Sequence, residues 1–164
     1  MRLLDLAAPS AEVIHVRKDP NGPAWQQPQI NALLVARTAV GKRVMRLKYG
    51  DPGVFDLGGE EAAALSAARL AWKIVPGVTS ASATCAAAGG FWAEHGANDT
   101  LVLATSQLRA GAEAPDWASH LRPGAAIALD MGVKSAPQMQ AGLLQAGHSP
   151  DLSVDVIAGA ETPR

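Results

Sequence analysis

The chain has few of the residues that cross-link, bind metal or form charged surfaces. Its 164 residues include one cysteine, and aromatic residues make up only 4%. A single cysteine excludes an internal disulfide and a zinc site built from several thiolates. Fourteen basic and fifteen acidic residues leave a formal charge of −1, which gives no footprint for nucleic acid or a membrane surface. No run reaches the roughly 20 apolar residues of a membrane span, so we expect a cytoplasmic protein.

Hydrophobic residues are plentiful at 48%, and glycine and proline number 16 and 11. The glycines and prolines are not periodic, so they mark turns rather than a repeat. Short β-branched runs alternate with longer alanine- and leucine-rich runs, which predicts an α/β fold with mostly parallel strands. The predicted strands are Val13–Val16, Val44–Leu47, Ile74–Val75, Leu101–Ala104, Ala125–Leu129 and Val154–Ile157. The predicted helices are 28–40, 60–70, 82–88, 117–121 and 137–145.

A predicted strand, a glycine-rich loop and a helix follow one another over residues 44–61. Ligands of open α/β sheets collect at the carboxyl ends of strands, where this loop lies. The loop has neither the dinucleotide nor the phosphate-loop spacing, and its acidic residues would repel a phosphate. A ligand with hydroxyl donors or a positive charge, such as a ribose or a sulfonium, suits it better. The alternative is a tight turn whose acidic residues compensate the helix dipole. These acidic residues are Asp51, Asp56, Glu60 and Glu61.

A second loop begins with Pro76-Gly77, directly after a predicted strand, and continues into Thr79 and Ser80 before a helix. Hydroxyl residues at that position are typical helix caps, and the free amides of the same helix start also suit a ligand. Both interpretations stay open from the sequence. The breaker pair also predicts a division into two lobes, residues 1–76 and 77–164.

Single residues carry weaker signals. Lys18 follows a predicted strand; it is either solvated or, if buried, able to transfer a proton. Met131 ends a predicted strand and is either core filler or a ligand contact. The four histidines have no metal-ligand spacing, so no metal site is predicted.

Several segments, taken in order, match the motifs of one known family. Residues 44–61 resemble the pattern VRLKxGDPxxFGRGGEE, and residues 75–82 resemble VPGxTSAS. The stretch WQQPQINALL at 25–34 matches the region before the first pattern. Met131-Gly132 falls where the family has YMG, and Thr162-Pro163-Arg164 lies near its GTxP segment. The chain thus resembles the uroporphyrinogen-III C-methyltransferases, a group of tetrapyrrole methylases.

This resemblance implies two small α/β lobes with S-adenosylmethionine in the cleft between them. It implies methyl transfer to C2 and C7 of uroporphyrinogen III, giving precorrin-2 for sirohaem or cobalamin, and it implies a homodimer. Lys18 aligns with the lysine of the family's VGKR segment, a proposed proton donor. By motif match, the cofactor would be bound by Tyr49, Gly50, Asp51, Val54, Thr79, Ser80, Met131 and Ala160.

The chain also departs from the family pattern. The family's first strand with its GxGPGDP loop, its YDRLV segment and its last strands have no counterpart, so we expect a domain truncated at both ends. Tyr49 replaces a small residue, Asp56-Leu57 replaces Gly-Arg, Asp130 replaces a tyrosine, and Ala160 stands where glycine is preferred. Two alternatives therefore stay open: a non-catalytic domain that binds a tetrapyrrole or a partner chain, and a related precorrin methyltransferase.

Overall fold

A computed structural model describes residues 3–16, 25–107 and 116–158. The chain divides into two compact units. The first unit comprises Met1–Arg46 and Leu57–Lys73, and the second comprises Leu47–Asp56 and Ile74–Arg164. The predicted division at residues 76 and 77 stays a prediction. The helices are α1 (Gln27–Ala39), α2 (Gly58–Ala67), α3 (Ser80–Ala87) and α4 (Ala136–Gln145), and the strands are β1 (Thr100–Thr105) and β2 (Ala125–Asp130). Short 3-10 turns occupy Leu3–Leu6, Ala118–His120 and Val133–Ser135.

The first unit is built on the packing of α1 against α2. Pro28 lies in the first turn of α1, where its missing N–H has no helical partner to lose. The backbone N–H of Gln26 donates to Oε1 of Gln29 at 2.9 Å, which ties the helix start together. Ile30 and Leu34, one turn apart on α1, are buried. They form the apolar face of this helix pair.

The second unit contains a parallel pair of strands. Thr100 of β1 lies opposite Ala125 of β2, and the register continues to Thr105 opposite Asp130. Helix α3 contacts β2. Because the strands are parallel, their carboxyl ends meet at one edge of the sheet, where the N–H of Ser106 donates to the Asp130 carbonyl at 3.1 Å. This edge is where a ligand of an α/β sheet is expected.

The structure confirms the α/β class, the parallel pairing, both central strands and the four predicted α-helical segments within the described residues. The segment at 117–121 is a 3-10 turn rather than an α-helix. The other strand predictions, at 13–16, 44–47, 74–75 and 154–157, are wrong: none of these segments forms a ladder. Their apolar side chains stay exposed, as with Val75 at 67% and Val156 at 65%. An apolar run forms a strand only when a partner backbone accepts its hydrogen bonds.

The described helices are short. Helix α1 has 13 residues. None of the helices in the described ranges combines the length and the apolar character needed to cross a membrane.

Candidate functional site

The Asp51 carboxylate connects two loops of the second unit. Its Oδ1 accepts a hydrogen bond from the Gly53 N–H at 2.7 Å, and its Oδ2 accepts one from the Gly77 N–H at 3.0 Å. These bonds favour the ionised form and so lower the pKa of Asp51 below its usual range. The bond from the Gly77 amide has the larger effect, and the bond from the Gly53 amide the smaller. The carboxylate therefore shapes the site by holding the glycine-rich loop against the Pro76-Gly77 turn.

The two loops approach each other so closely that glycine is required. A Cβ added to Gly77 would collide with the carbonyl oxygen of Gly50 and lie 3.1 Å from its carbonyl carbon. Gly50 itself has a φ of +70°, a left-handed conformation that other residues rarely adopt. A Cβ at Gly50 would lie 3.6 Å from the Ser80 nitrogen, so this loop also reaches the start of α3.

The start of α3 is joined to the sheet edge by its hydroxyl residues. Thr79 caps the helix, its Oγ1 accepting from the Ser82 N–H at 3.1 Å, which confirms the capping interpretation for Thr79 but not for Ser80. The Ser80 hydroxyl donates to Oδ1 of Asp130 at 3.0 Å, across 50 residues of sequence. Asp130 is the last residue of β2, so Ser80 links the glycine-rich loop to the carboxyl edge of the strands.

Met131 turns the chain sharply at this edge. Its φ of +60° is left-handed, and its carbonyl accepts the Ser106 hydroxyl at 2.7 Å. The side chain is half-exposed, at 49%. Beside it lies a cavity of about 450 Å³ whose lining residues are Ser106, Gln107, Met131, Val133, Lys134 and Ser135. Met131 therefore lines an open cavity and is not buried in the core; its role as a ligand contact stays a prediction.

The structure brings together most of the residues that the sequence singled out as cofactor-binding. Gly50 lies beside the backbone of Thr79 and Ser80, Asp51 is bonded to the preceding Gly77, and Ser80 is bonded to Asp130, the neighbour of Met131 in the chain. Val54 lies in the same loop, its N–H donating to the Asp51 carbonyl at 3.1 Å, and Tyr49 is 91% exposed. Lys18, Ala160 and the segment 162–164 lie outside the described residues. Their predicted roles stay predictions.

Asp130, Ser106 and Gly77 take part in the junction although no sequence motif assigns them a role. Asp130 was noted only as a departure from the family pattern, although its place at the end of a predicted strand was a usable signal. Ser106 directly follows β1 and carries the same signal. Gly77 was interpreted as a breaker, and nothing local indicates that Gly50 approaches it.

Two of the acidic residues near the first loop have internal partners. Asp56 pairs with Lys48, whose Nζ lies 2.9 Å from Oδ1 and whose side chain is only 5% exposed. Glu61 is buried and lies 3.3 Å from the Arg46 Nε and 3.2 Å from the Gln27 Nε2. These carboxylates neutralise cations and satisfy donors inside the protein. At the junction itself, the carboxylates are those of Asp51, bonded to the Gly53 and Gly77 amides, and of Asp130, bonded to the Ser80 hydroxyl.

We predict that acid weakens the junction at Asp51. Because its pKa in the folded chain is lowered, its contribution to stability is full above the ordinary aspartate pKa of about 4 and disappears as pH falls through the lower folded value. The urea midpoint of the wild type should exceed that of Asp51→Asn at pH 7, and the gap should narrow as the pH is lowered to 3. The exposed Asp155→Asn variant of the same unit is the control and should follow the wild type throughout. A constant gap from pH 7 to pH 3 would contradict the role of the charge.

Within the described ranges, no group of three or more histidine, cysteine or acidic side chains is arranged to hold a metal ion. What the second unit offers is a parallel strand pair, a glycine-lined junction and an open cavity at the carboxyl edge. These features define an α/β protein with an open cavity at the carboxyl edge of its parallel strands, where ligands of such sheets commonly bind. The chain belongs to the Tetrapyrrole (Corrin/Porphyrin) Methylases, which it matches over residues 2–163.

Relatives of known sequence support this membership. The chain is 38% identical over 163 residues to a siroheme synthase of Gluconacetobacter diazotrophicus, covering 98% of this chain and 34% of the relative. It is 35% identical over 161 residues to a siroheme synthase of Psychrobacter sp., covering 98% of this chain and 33% of the relative. The chain thus spans about one third of the length of these relatives.

Solved structures agree with the sequence relatives. A uroporphyrin-III C-methyltransferase from Thermus thermophilus, crystallised with S-adenosylhomocysteine, matches with a TM-score of 0.64 and 31% identity. The match covers 76% of this chain and 54% of that one. The same enzyme in its native form matches with the same TM-score and identity. The fold is therefore that of a tetrapyrrole methyltransferase over the matched part.

Proposed function

We propose that this chain binds S-adenosylmethionine at the junction of the glycine-rich loop, the start of α3 and the carboxyl edge of β2. We further propose that it transfers methyl groups to C2 and C7 of uroporphyrinogen III, giving precorrin-2. The observation that carries the proposal is the continuous link from Asp51 and Gly77, through Gly50 and Ser80, to Asp130 and Met131, because each of the two loops and the strand end contributes residues of the family motifs.

The residues present suit this cofactor. Asp51 and Asp130 offer carboxylates, and the hydroxyl of Ser80 and the amides at the start of α3 add further polar groups. Such a set favours a ligand with hydroxyl donors and a positive charge over a phosphate. The glycines at 50 and 77 leave room for backbone atoms to approach closely, which a Cβ would fill. The site therefore fits a sulfonium nucleoside.

When bound, S-adenosylmethionine supplies a methyl group carried on a positively charged sulfur. The chain's own contribution is to hold the site in shape. Asp51 fixes the two loops, Ser80 fixes the helix start to the strand end, and Met131 places a half-exposed thioether beside the cavity. Lys18 is the proposed proton donor by family resemblance. The homodimer, the cytoplasmic location and the sirohaem or cobalamin product belong to the same proposal.

Calorimetric titration of the folded chain with S-adenosylhomocysteine tests the binding step. We expect a micromolar dissociation constant, which corresponds to about −8 kcal/mol. Asp51→Asn should weaken binding at least about tenfold, because the side-chain NH2 of asparagine cannot accept one of the two hydrogen bonds that Asp51 accepts from backbone amides at the loop junction. Asp155→Asn should leave binding unchanged. A chain that circular dichroism shows to be folded, with no heat up to millimolar ligand, would overturn the proposal.

Methyl transfer is tested separately, by incubating the chain with isotope-labelled S-adenosylmethionine and uroporphyrinogen III. The expected product carries two labelled methyl groups, at C2 and C7. Cofactor binding without transfer would favour the non-catalytic alternative, and transfer at other ring positions would favour a precorrin methyltransferase.

A further inference from the structure

Asp130 directly precedes Met131 in the chain, and one of its two carboxylate oxygens accepts a hydrogen bond from within the described protein. Its Oδ1 accepts the Ser80 hydroxyl at 3.0 Å. In the part of the chain that the structure describes, Oδ2 accepts no hydrogen bond and forms no ion pair. The residue is half-buried at the carboxyl edge of β2. One oxygen is therefore bonded within the protein, while the other keeps its capacity to accept a hydrogen bond or to pair with a cation.

A purely structural role for Asp130 would need no charge. The Ser80 hydroxyl needs only an acceptor, which an asparagine Oδ1 supplies equally well. A negative charge at the end of β2 adds something else, because it attracts a positive charge nearby. This attraction is strongest where a ligand displaces water from a partly buried carboxylate, because less solvent then screens the two charges.

We infer that Asp130 is a specificity-determining residue, whose carboxylate makes the site prefer the positively charged methyl donor over its neutral product. S-adenosylmethionine and S-adenosylhomocysteine differ by one methyl group and one positive charge on sulfur, so a carboxylate separates them mainly by charge. Lys134 lines the adjoining cavity and disfavours a cation equally in the wild type and in variants at position 130. A difference in ligand affinity between the wild type and a variant at position 130 is therefore due to the Asp130 side chain.

The inference rests on the proposed function, and Asp130→Asn tests it while keeping the acceptor for Ser80. Both ligands are titrated into wild type and variant by calorimetry at about 50 mM salt. We expect the dissociation constant for S-adenosylmethionine to rise about tenfold, equivalent to about 1.4 kcal/mol. The constant for S-adenosylhomocysteine should change less than about twofold.

Asp99→Asn is the matched control, because it makes the same change in net charge at the other end of the strand pair. Asp99 precedes β1, whose six residues span about 20 Å, and its side chain is 77% exposed. Both ligands should bind this variant as they bind the wild type. Ser80→Ala is the second comparison: it removes the hydrogen bond but keeps the carboxylate, so it should weaken both ligands by the same factor.

Each result decides between the possibilities. Equal weakening of both ligands by Asp130→Asn would assign the residue a structural role and overturn the inference, as would no change for either ligand. A wild type that binds neither ligand would overturn the proposed function and the inference with it. Should Asp130→Asn fail to fold, raising the salt to about 500 mM tests the wild type directly. Screening should then reduce its preference for S-adenosylmethionine, and an unchanged preference would contradict the inference.

Discussion

Gly77→Ala is expected to abolish binding of S-adenosylhomocysteine and to destabilise the second unit by about 3 kcal/mol. The added Cβ meets the carbonyl of Gly50, which is backbone and cannot move aside as a flexible side chain would. Relieving the collision separates the two loops, and this also removes the hydrogen bond from the Gly77 N–H to Asp51. Urea unfolding followed by circular dichroism measures the stability, and calorimetry measures the binding.

Gly142→Ala is the matched control in the same unit. Gly142 lies inside α4, and a Cβ there meets nothing within 4 Å. Alanine is favoured over glycine within a helix by about 0.5–1 kcal/mol, so this variant should be slightly more stable and bind normally. If Gly77→Ala unfolds at the same urea concentration as the wild type, the two loops do not approach as closely as described.

The sequence predicted elements whose signals are local. Helix α1 carries local signals, Ile30 and Leu34 one turn apart and Pro28 in its first turn, and β1 and β2 are short apolar runs between turn residues. The run Val154–Ile157 has the same local pattern and forms no strand. Strand formation depends on a partner backbone that is often far away in the sequence, and no local pattern specifies that partner.

The sequence predicted which residues belong to the candidate site, but not which of them contact one another. Asp51 and Gly77 are 26 residues apart, and Ser80 and Asp130 are 50 apart. Motif comparison indicated that Asp51 and Ser80 belong to one site, but it assigned both to the ligand. In the structure their polar groups bond first to the protein itself. Packing between residues far apart in the sequence decides which contacts a polar side chain makes. For this reason the sequence did not predict the contacts within the site.

Glu60 and Glu61 also show that local sequence does not predict long-range contacts. Both are acidic residues in the first turn of α2, so the sequence predicts the same helix-dipole role for each. The structure separates them: Glu60 is exposed, whereas the side chain of Glu61 is only 6% exposed and lies against Arg46 and Gln27. Local sequence favours acidic residues at both positions, since both suit the positive end of a helix. Only the fold of the first unit makes one of them part of its interior.

Glu61→Ala should therefore destabilise the first unit by about 2 kcal/mol, while Glu60→Ala should cost about 0.5 kcal/mol or less. Removing Glu61 takes an acceptor from Arg46 and Gln27 and leaves a cavity, although Arg46, 31% exposed, recovers part of its loss from water. Urea unfolding of both variants, followed by tryptophan fluorescence and by circular dichroism, gives the comparison. Equal destabilisation by the two substitutions would mean that helix-dipole compensation accounts for both residues. A larger effect at Glu60 would contradict the burial of Glu61.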